Sequence, residues 1–320
     1  MGRHLITGAA GFLGRYLVRA LLARGEPVRA LDLRRPDDAE PEAEWIIADI
    51  RDADAVRRAC EGMEVVYHLA ALIPQRHADR ATMRAVNVEG TRHVLESARA
   101  AGVRRMVFLS SAEVYGIPQI VPCPEEGPPA PLGEYGHNKV AAEALCMAAA
   151  EQGLEVTILR PPTIVGPGLD EPFLVGMLTA IHQGQPVMLI GRGENRFQFV
   201  HAGDVVDACL RAAGHPEAVG RAFNIGAADV PPIRTLVDQV IARVGSASAV
   251  RSIPEWLARL AVALLRPFGK APLEPEHLAI AVADYLFDIT RAREVLGWEP
   301  RWSVLEAVLD TYRALWPPSP

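Results

Sequence analysis

Through its first half the chain alternates short apolar runs with longer segments in which apolar residues recur at helical spacing. The runs at 4–7, 28–32, 45–48, 65–69, 105–109 and 155–159 are too short for helices and read as strands. Between them, 13–23, 53–60, 81–101 and 138–152 carry apolar positions mixed with Arg and Glu in the pattern of half-buried helices. Regular alternation of the two predicts an α/β fold, a doubly wound parallel sheet with crossover helices on both faces.

The pattern changes at Pro161 and Pro162, beyond which Pro and Gly cluster and regularity falls. A smaller lobe is expected to begin there. Residues 199–226 again read strand, helix, strand, so the chain is expected to return to the large sheet before leaving it. The predicted division is therefore 1–162, with a return segment at about 199–226, and an interleaved C-terminal lobe of 163–198 and 227–320. Two Ala-rich segments, 81–101 and 140–150, are apolar around much of their circumference. Burial under neighbouring loops and helix packing in a homodimer account for this equally well.

Half of the 320 residues are hydrophobic, enough for one large core or two coupled lobes. Lys and Arg number 33 against 39 Asp and Glu, and the net charge of −6 is spread without a basic stripe, which argues against nucleic acid as a partner. The four cysteines are far apart and form no metal-ligand or disulfide grouping, so no metal is expected and a reducing cytoplasm fits best. The apolar stretch at 5–17 is broken by glycines and reads as strand and turn, not a secretion signal. That at 257–265 is too short to cross a bilayer and contains Arg259, so membrane insertion is not expected. Its stripe of Leu257, Leu260, Ala261, Leu264 and Leu265 reads first as core and second as the wall of an apolar pocket.

Candidate chemistry begins at the first strand-to-helix turn, TGAAGFLG at 7–14. Gly8 permits the turn, Gly11 a close approach of phosphate to bare backbone, and Gly14 tight helix packing, the pattern of a dinucleotide site. Asp32 ends the second strand, eighteen positions past Gly14, where a carboxylate accepts from ribose hydroxyls and repels a 2′-phosphate. NAD is therefore favoured, although Arg34 and Arg35 offer partners to such a phosphate. Tyr135 and Lys139 stand four apart at the start of a predicted helix and project from one face. A nearby ammonium is expected to draw the phenol toward a usable general base. Ser111 follows the fifth strand, where a hydroxyl faces the ligand crevice of a doubly wound sheet.

Taken together, these residues resemble the extended short-chain dehydrogenase/reductase superfamily, the NAD-dependent epimerase/dehydratase family, over nearly the whole chain. TGAAGFLG matches its TGxxGxxG, HLAA at 68–71 its fourth-strand motif, NVEGT at 87–91 its NxxGT, SSAEVYG at 110–116 its SSxxVYG, and YGHNK at 135–139 its YxxxK. Further matches are RP at 160–161, GPG at 166–168, FVH at 199–201, FNIG at 223–226 and LGWEP at 296–300. The resemblance implies a Rossmann domain with a substrate-binding C-terminal lobe. It implies NAD contacts from Gly8, Gly11, Phe12, Leu13, Gly14, Asp32, Asp49, Ile50, Leu69, Ala70, Ala71, Asn87, Tyr135, Lys139 and Pro162. It also implies oxidation of a secondary alcohol, with Tyr135 taking the proton, Lys139 tuning Tyr135 and holding ribose, and Ser111 steadying the ketone.

Glu113 occupies the place where sugar-nucleotide dehydratases and uronate decarboxylases of the superfamily carry a Glu, but Ala112 replaces the Asp that often precedes it. Sugar-nucleotide enzymes commonly place a diphosphate-gripping Arg where this chain has Phe197, with Arg196 displaced by one. Arg192 is the candidate to compensate. Ser111, Glu113, Arg192, Arg196 and His201 are the candidate substrate-binding residues. The first expectation is a sugar-nucleotide epimerase or dehydratase of the UDP-sugar 4-epimerase type. The second, through GRGEN at 191–195, is a 3β-hydroxysteroid or sterol dehydrogenase, and the third a non-catalytic NAD-binding regulator.

Overall fold

The computed structural model describes residues 2–73, 79–265 and 275–317. Its strands are β1 (His4–Thr7), β2 (Val28–Asp32), β3 (Glu44–Ile47), β4 (Val65–His68), β5 (Arg105–Leu109), β6 (Glu155–Arg160), β7 (Thr163–Val165), β8 (Val187–Ile190), β9 (Phe199–His201), β10 (Arg221–Asn224) and β11 (Val250–Ile253). Seven of them form one sheet in the order β10-β6-β5-β4-β1-β2-β3, every pair parallel. The strand order reverses between β1 and β4, and the crevice at their carboxyl ends is where such a sheet binds ligands.

The helices are α1 (Phe12–Ala23), α2 (Ala53–Cys60), α3 (Arg80–Arg84), α4 (Thr91–Ala100), α5 (Glu134–Glu151), α6 (Pro172–His182), α7 (Ala202–Gly214), α8 (Ile233–Val244), α9 (Glu255–Leu265), α10 (Pro275–Ala281), α11 (Thr290–Leu296) and α12 (Val304–Leu315). A π-helical turn, Ala85–Gly90, joins α3 to α4. On one face of the sheet Leu17 and Leu21 of α1 meet Val205 and Cys209 of α7; on the other Val56, Val94 and Cys146 from α2, α4 and α5 cover Met106, Phe108 and Ile158. Leu174, Leu178, Val237, Val240 and Val308 make a separate core for the second lobe. The four cysteines are all buried and unpaired.

The interleaving is deeper than the sequence pattern foretold. Strand β9 does not join the large sheet; it pairs with β7, Thr163 opposite Phe199. The return is made by α7 and β10, which pairs with β6. The chain then comes back once more near its end. Trp298 is fully buried in the core beneath the sheet, and its indole N–H donates to the Asp204 carbonyl at 2.9 Å. The Asp204 carboxylate accepts from the backbone N–H groups of Arg301 and Trp302 at 3.1 and 3.2 Å. A large aromatic with one polar atom needs both an apolar bed and an acceptor, and α7 supplies both.

Through Leu264, the last of its described side chains, the 257–265 stripe does not form core. In α9 Val262 is buried, whereas Trp256, Leu257, Leu260 and Leu264 are exposed; the side chain of Leu265 lies outside the described residues. No helix among the described residues is long and apolar enough to cross a membrane. Trp298→Ala should remove about 3–5 kcal/mol of stability, read as a lower urea midpoint, because it empties the bed and orphans the Asp204 carbonyl; an unchanged midpoint would contradict this account of the clasp.

Candidate active site

The first turn is shaped by absent side chains. Gly8 has φ +73°, and a Cβ there would lie 2.7 Å from the Ala70 nitrogen across the β1–β4 switch. A Cβ on Gly14 would lie 2.2 Å from the Gly8 carbonyl oxygen, so α1 can approach the turn only through glycine. Gly11 caps α1 with no side-chain bond, and the first turn holds no acidic residue. That leaves bare N–H groups of Phe12, Leu13 and Gly14 at a positive helix end, a fit for a pyrophosphate. Leu13 is buried in the core, while Phe12 meets Tyr16 edge-on at 5.6 Å.

Asp32 accepts from the N–H groups of Ala10 at 2.9 Å and Leu33 at 2.7 Å, locking the glycine turn to β2. Each carboxylate oxygen keeps a second lone pair, so ribose hydroxyls can still bond there. Arg34 and Arg35 are exposed just beyond it. Asp49 is held below the usual carboxylate range by its hydrogen bonds from Arg51, at 2.6 and 2.9 Å. Ile50 is buried beneath Gly90, where a Cβ would strike it.

Leu69, Ala70 and Ala71 leave β4 at the crevice, and a buried polar chain fixes them. The Thr91 hydroxyl donates to the Asn87 carbonyl at 2.7 Å. Its oxygen therefore accepts from His68 Nε2 at 2.9 Å, which leaves His68 Nδ1 to accept from the Thr7 hydroxyl at 2.6 Å. Burial, and then the Lys139 charge, lower the His68 pKa to about 3, so the ring stays neutral. Asn87 grips the Leu72 backbone in both directions, at 2.7 and 2.8 Å. Thr7 and Thr91 were not singled out from sequence, although the threonines of TGxxGxxG and NxxGT carried the signal.

Ser111, Glu113, Tyr135 and Lys139 do converge. Ser111 stands beside the Tyr135 phenol and acts to lower its pKa, and Ser111 Oγ accepts from the Glu113 N–H at 3.1 Å. Lys139 Nζ donates to the Leu109 carbonyl at 2.7 Å and lies 4.9 Å from the Phe108 ring centroid and 5.6 Å from that of Tyr135. Burial draws the Lys139 pKa down to about 8. The Tyr135 phenol moves the opposite way, pushed up first by burial and then by the Glu113 carboxylate. The expected lowering of Tyr135 by Lys139 is not what sets the phenol here: burial and Glu113 raise it, and Ser111 is the group that acts against them.

Beneath this cluster lies a network that sequence reading missed. Glu143, one turn past Lys139 on α5, accepts from Ser110 and pairs bidentately with Arg160 at 2.6 and 2.9 Å. Arg160 donates to the Tyr115 hydroxyl at 2.7 Å, which donates to Asn224 at 2.8 Å. Spacing i, i+4 from Lys139 was the available signal for Glu143. Pro162 is buried just past β6, and the Pro161 carbonyl accepts from Ala112.

Three substrate-side candidates are not brought to Tyr135. Arg192 is 85% exposed and pairs with Glu194. Arg196 is tied to Asp284, its backbone N–H at 2.7 Å and its guanidinium at 3.3 Å from the carboxylate. The one-residue shift takes effect here: Phe197 faces inward and stacks on Tyr285 at 5.1 Å. Tyr285, missed from sequence, is fully enclosed, and the charge of Glu113 and the phenol of Tyr135 both act on it. His201 is spent on structure, its Nδ1 capping α7 at Gly203, its Nε2 on Asp310 at 3.2 Å and its ring on Trp302 at 4.2 Å.

The profile of the NAD dependent epimerase/dehydratase family matches residues 4–226. A UDP-glucose 4-epimerase of Mycolicibacterium smegmatis is 35% identical over 329 residues, spanning 97% of both chains. Sterol demethylase protein B of Methylococcus capsulatus is 41% identical over 216 residues, 65% of each chain. Among solved structures, a short-chain dehydrogenase/reductase superfamily protein from Agrobacterium tumefaciens with bound NAD superposes with a TM-score of 0.79 at 30% identity, covering 98% of this chain and 97% of that one. The chain belongs to the NAD-dependent epimerase/dehydratase family and is an enzyme whose cofactor is NAD.

Tyr135→Phe should lower turnover by roughly 10²–10⁴-fold with NAD affinity, read by fluorescence titration, nearly unchanged; retained turnover would remove Tyr135 from the chemistry. Lys139→Met should abolish turnover yet raise the melting temperature of the NAD-free protein at pH 7. The sign follows from its lowered pKa. Between about 8 and the ordinary 10.5 the unfolded chain binds the proton that the folded one releases, so stability rises with pH across that window and the charging cost stands in full below it. A lower melting temperature for the variant across that whole range would refute this.

Proposed function

We propose that this enzyme oxidises a secondary alcohol, with Ser111, Tyr135 and Lys139 as its chemical group. Their convergence at the carboxyl end of β5, beside Glu113, is the single observation that carries the reading. NAD, when bound, supplies the hydride acceptor and a positive charge that favours phenolate. Tyr135 takes the hydroxyl proton while the carbon gives up its hydride, leaving a ketone. Ser111 holds the reacting oxygen through the hydroxyl it already turns toward Tyr135. Lys139, buried but ionised at neutral pH, adds a second positive charge and offers its remaining N–H groups to ribose.

For the substrate skeleton, the inward Phe197 favours an apolar ring system. Where a sugar-nucleotide enzyme would grip a diphosphate, this chain offers Phe197 on Tyr285, and Tyr285 meets Phe287 edge-on at 4.7 Å. Arg192 lies out in solvent beside Glu194, and Arg196 is tied to Asp284, so neither is presented to that wall. A diphosphate laid against that wall would lose water and gain no cation. The 41% identity to sterol demethylase protein B supports the same reading. The sugar-nucleotide reading stands second, supported by the full-length likeness to a UDP-glucose 4-epimerase. Glu113 is suited, in that case, to move a proton alpha to the new ketone. Packing of a second copy through α4 and α5 belongs to this proposal as well, since Ala144, Met147 and Ala148 leave a small, apolar outer row on α5.

The test is a substrate panel. NADH production from a 3β-hydroxysterol, with UDP-glucose and UDP-galactose left unchanged by mass spectrometry, is the expected result. Interconversion of the UDP-sugars without net NADH would reverse the order of the two readings.

A further inference from the structure

Helix α9 leaves its apolar residues facing outward. Trp256 is 67% exposed, Leu257 42%, Leu260 46% and Leu264 61%, a contiguous apolar surface that a water-soluble chain has no internal reason to keep. At eleven residues the helix is far too short to span a bilayer. Its one internal ion pair, Arg259 with Glu255 at 2.7 Å, is an i, i+4 contact within the helix.

The surroundings are cationic although the chain as a whole carries −6. Pro254 joins α9 to β11, whose Arg251 is exposed. Arg234 reaches the same strand, donating to the Ser252 hydroxyl at 2.9 Å and to the Arg192 carbonyl at 3.1 Å. Arg192 stands beside it. Among the described residues, Arg192, Arg234, Arg251 and Arg259 lie on or next to the elements at the base of α9, against Glu194 and Glu255, each of which already faces one of them, so that two positive charges are left over.

We propose that α9 and these arginines dock the enzyme on the surface of an anionic lipid bilayer. The helix would lie in the interface, its Trp and Leu side chains among the upper acyl chains and the arginines against lipid phosphates. A second copy of this chain is the poorer occupant, because a two-fold interface through α9 would use the same net-cationic patch on both sides and bring their like charges together. The placement also gives the surface a use. Helix α10 packs on α9, and its Ile280 belongs to the apolar cluster of Val114, Tyr115, Tyr285 and Phe287 beside the chemical group. A lipophilic alcohol dissolved in the bilayer would reach that wall without crossing water.

The experiment is flotation of the purified full chain with vesicles of phosphatidylcholine alone and of phosphatidylcholine mixed with phosphatidylglycerol. The expected result is binding to the mixed vesicles only, weakened by salt, and weakened about tenfold by Leu260→Asp or by Arg251→Glu. Far-UV circular dichroism and NAD binding should match the parent in both variants, which separates surface from fold and leaves the outcome independent of the substrate reading. No flotation, equal flotation with both vesicle types, or full binding by Leu260→Asp would overturn the proposal. So would light scattering that shows a larger oligomer which Leu260→Asp dissociates, since α9 would then belong to a second copy.

Discussion

The tightest constraint in this molecule is the space between β1 and β4, where the order of the sheet reverses. The backbone of Gly8 passes so close to Ala70 that no side chain fits, and its carbonyl in turn sits where a Cβ of Gly14 would be. Everything on the cofactor side follows from that closeness. Helix α1 is drawn down onto the turn, its N-terminus is left uncapped at the crevice, and Asp32 can lock the turn by accepting from Ala10. On the other side of the switch, Thr7 reaches His68, and the His68–Thr91–Asn87 chain carries the same rigidity to the loop after β4. A turn held by so many short contacts presents its bare amides in one position, which is what recognition of a phosphate requires.

The chemical group rests on the opposite physics, burial of charge. Lys139 loses water and answers with a lowered pKa; Tyr135 loses water and answers with a raised one. Only the first is a cost to the fold at neutral pH; the raised value simply keeps the phenol protonated. The burial is tolerable because neighbours absorb it in parts: the Leu109 carbonyl accepts a hydrogen bond from Lys139, Ser111 stands at the Tyr135 phenol, and the Glu143–Arg160 pair neutralises itself one layer below. A cation arriving in this site is favoured twice, relieving the phenol and counterbalancing Glu113. The electrostatics of the site thus favour a positively charged group bound beside Tyr135 and Glu113.

Periodicity made the sheet legible, because parallel strands buried on both faces read as short apolar runs and their crossover helices as amphipathic ones. Ser111, Tyr135 and Lys139 were legible for a local reason: one helix face and one strand end fix their positions. What escaped was set by distant partners. Glu143, Tyr115 and Arg160 meet across three elements, and the i, i+4 spacing of Glu143 from Lys139 puts it on the right helix face without saying that Arg160 will meet it there. Trp298 returning to Asp204, and β9 choosing β7 over the large sheet, depend on tertiary geometry in the same way. His201 misled because a histidine in a motif suggests chemistry, whereas here both its nitrogens serve a helix cap and an ion pair.

Substrate side and cofactor side therefore differ in how far a single residue decides the outcome. Around the glycine turn many contacts agree, and one change would be resisted or would break the site. In the extended segment before β9, alternation alone determines which side chain faces inward, so displacement of an arginine by one position exchanges a cation for the Phe197 ring. The bridge of Phe197 to Tyr285 then makes the exchange structural, since the aromatic pair joins two segments that carry the wall between α10 and the chemical group. A family can keep its hydride chemistry unaltered while such a shift turns the neighbouring surface from diphosphate recognition toward apolar contact. The exposed apolar face of α9, one helix away from that wall, is consistent in kind: both surfaces present apolar side chains where a freely diffusing polar ligand would find no partner.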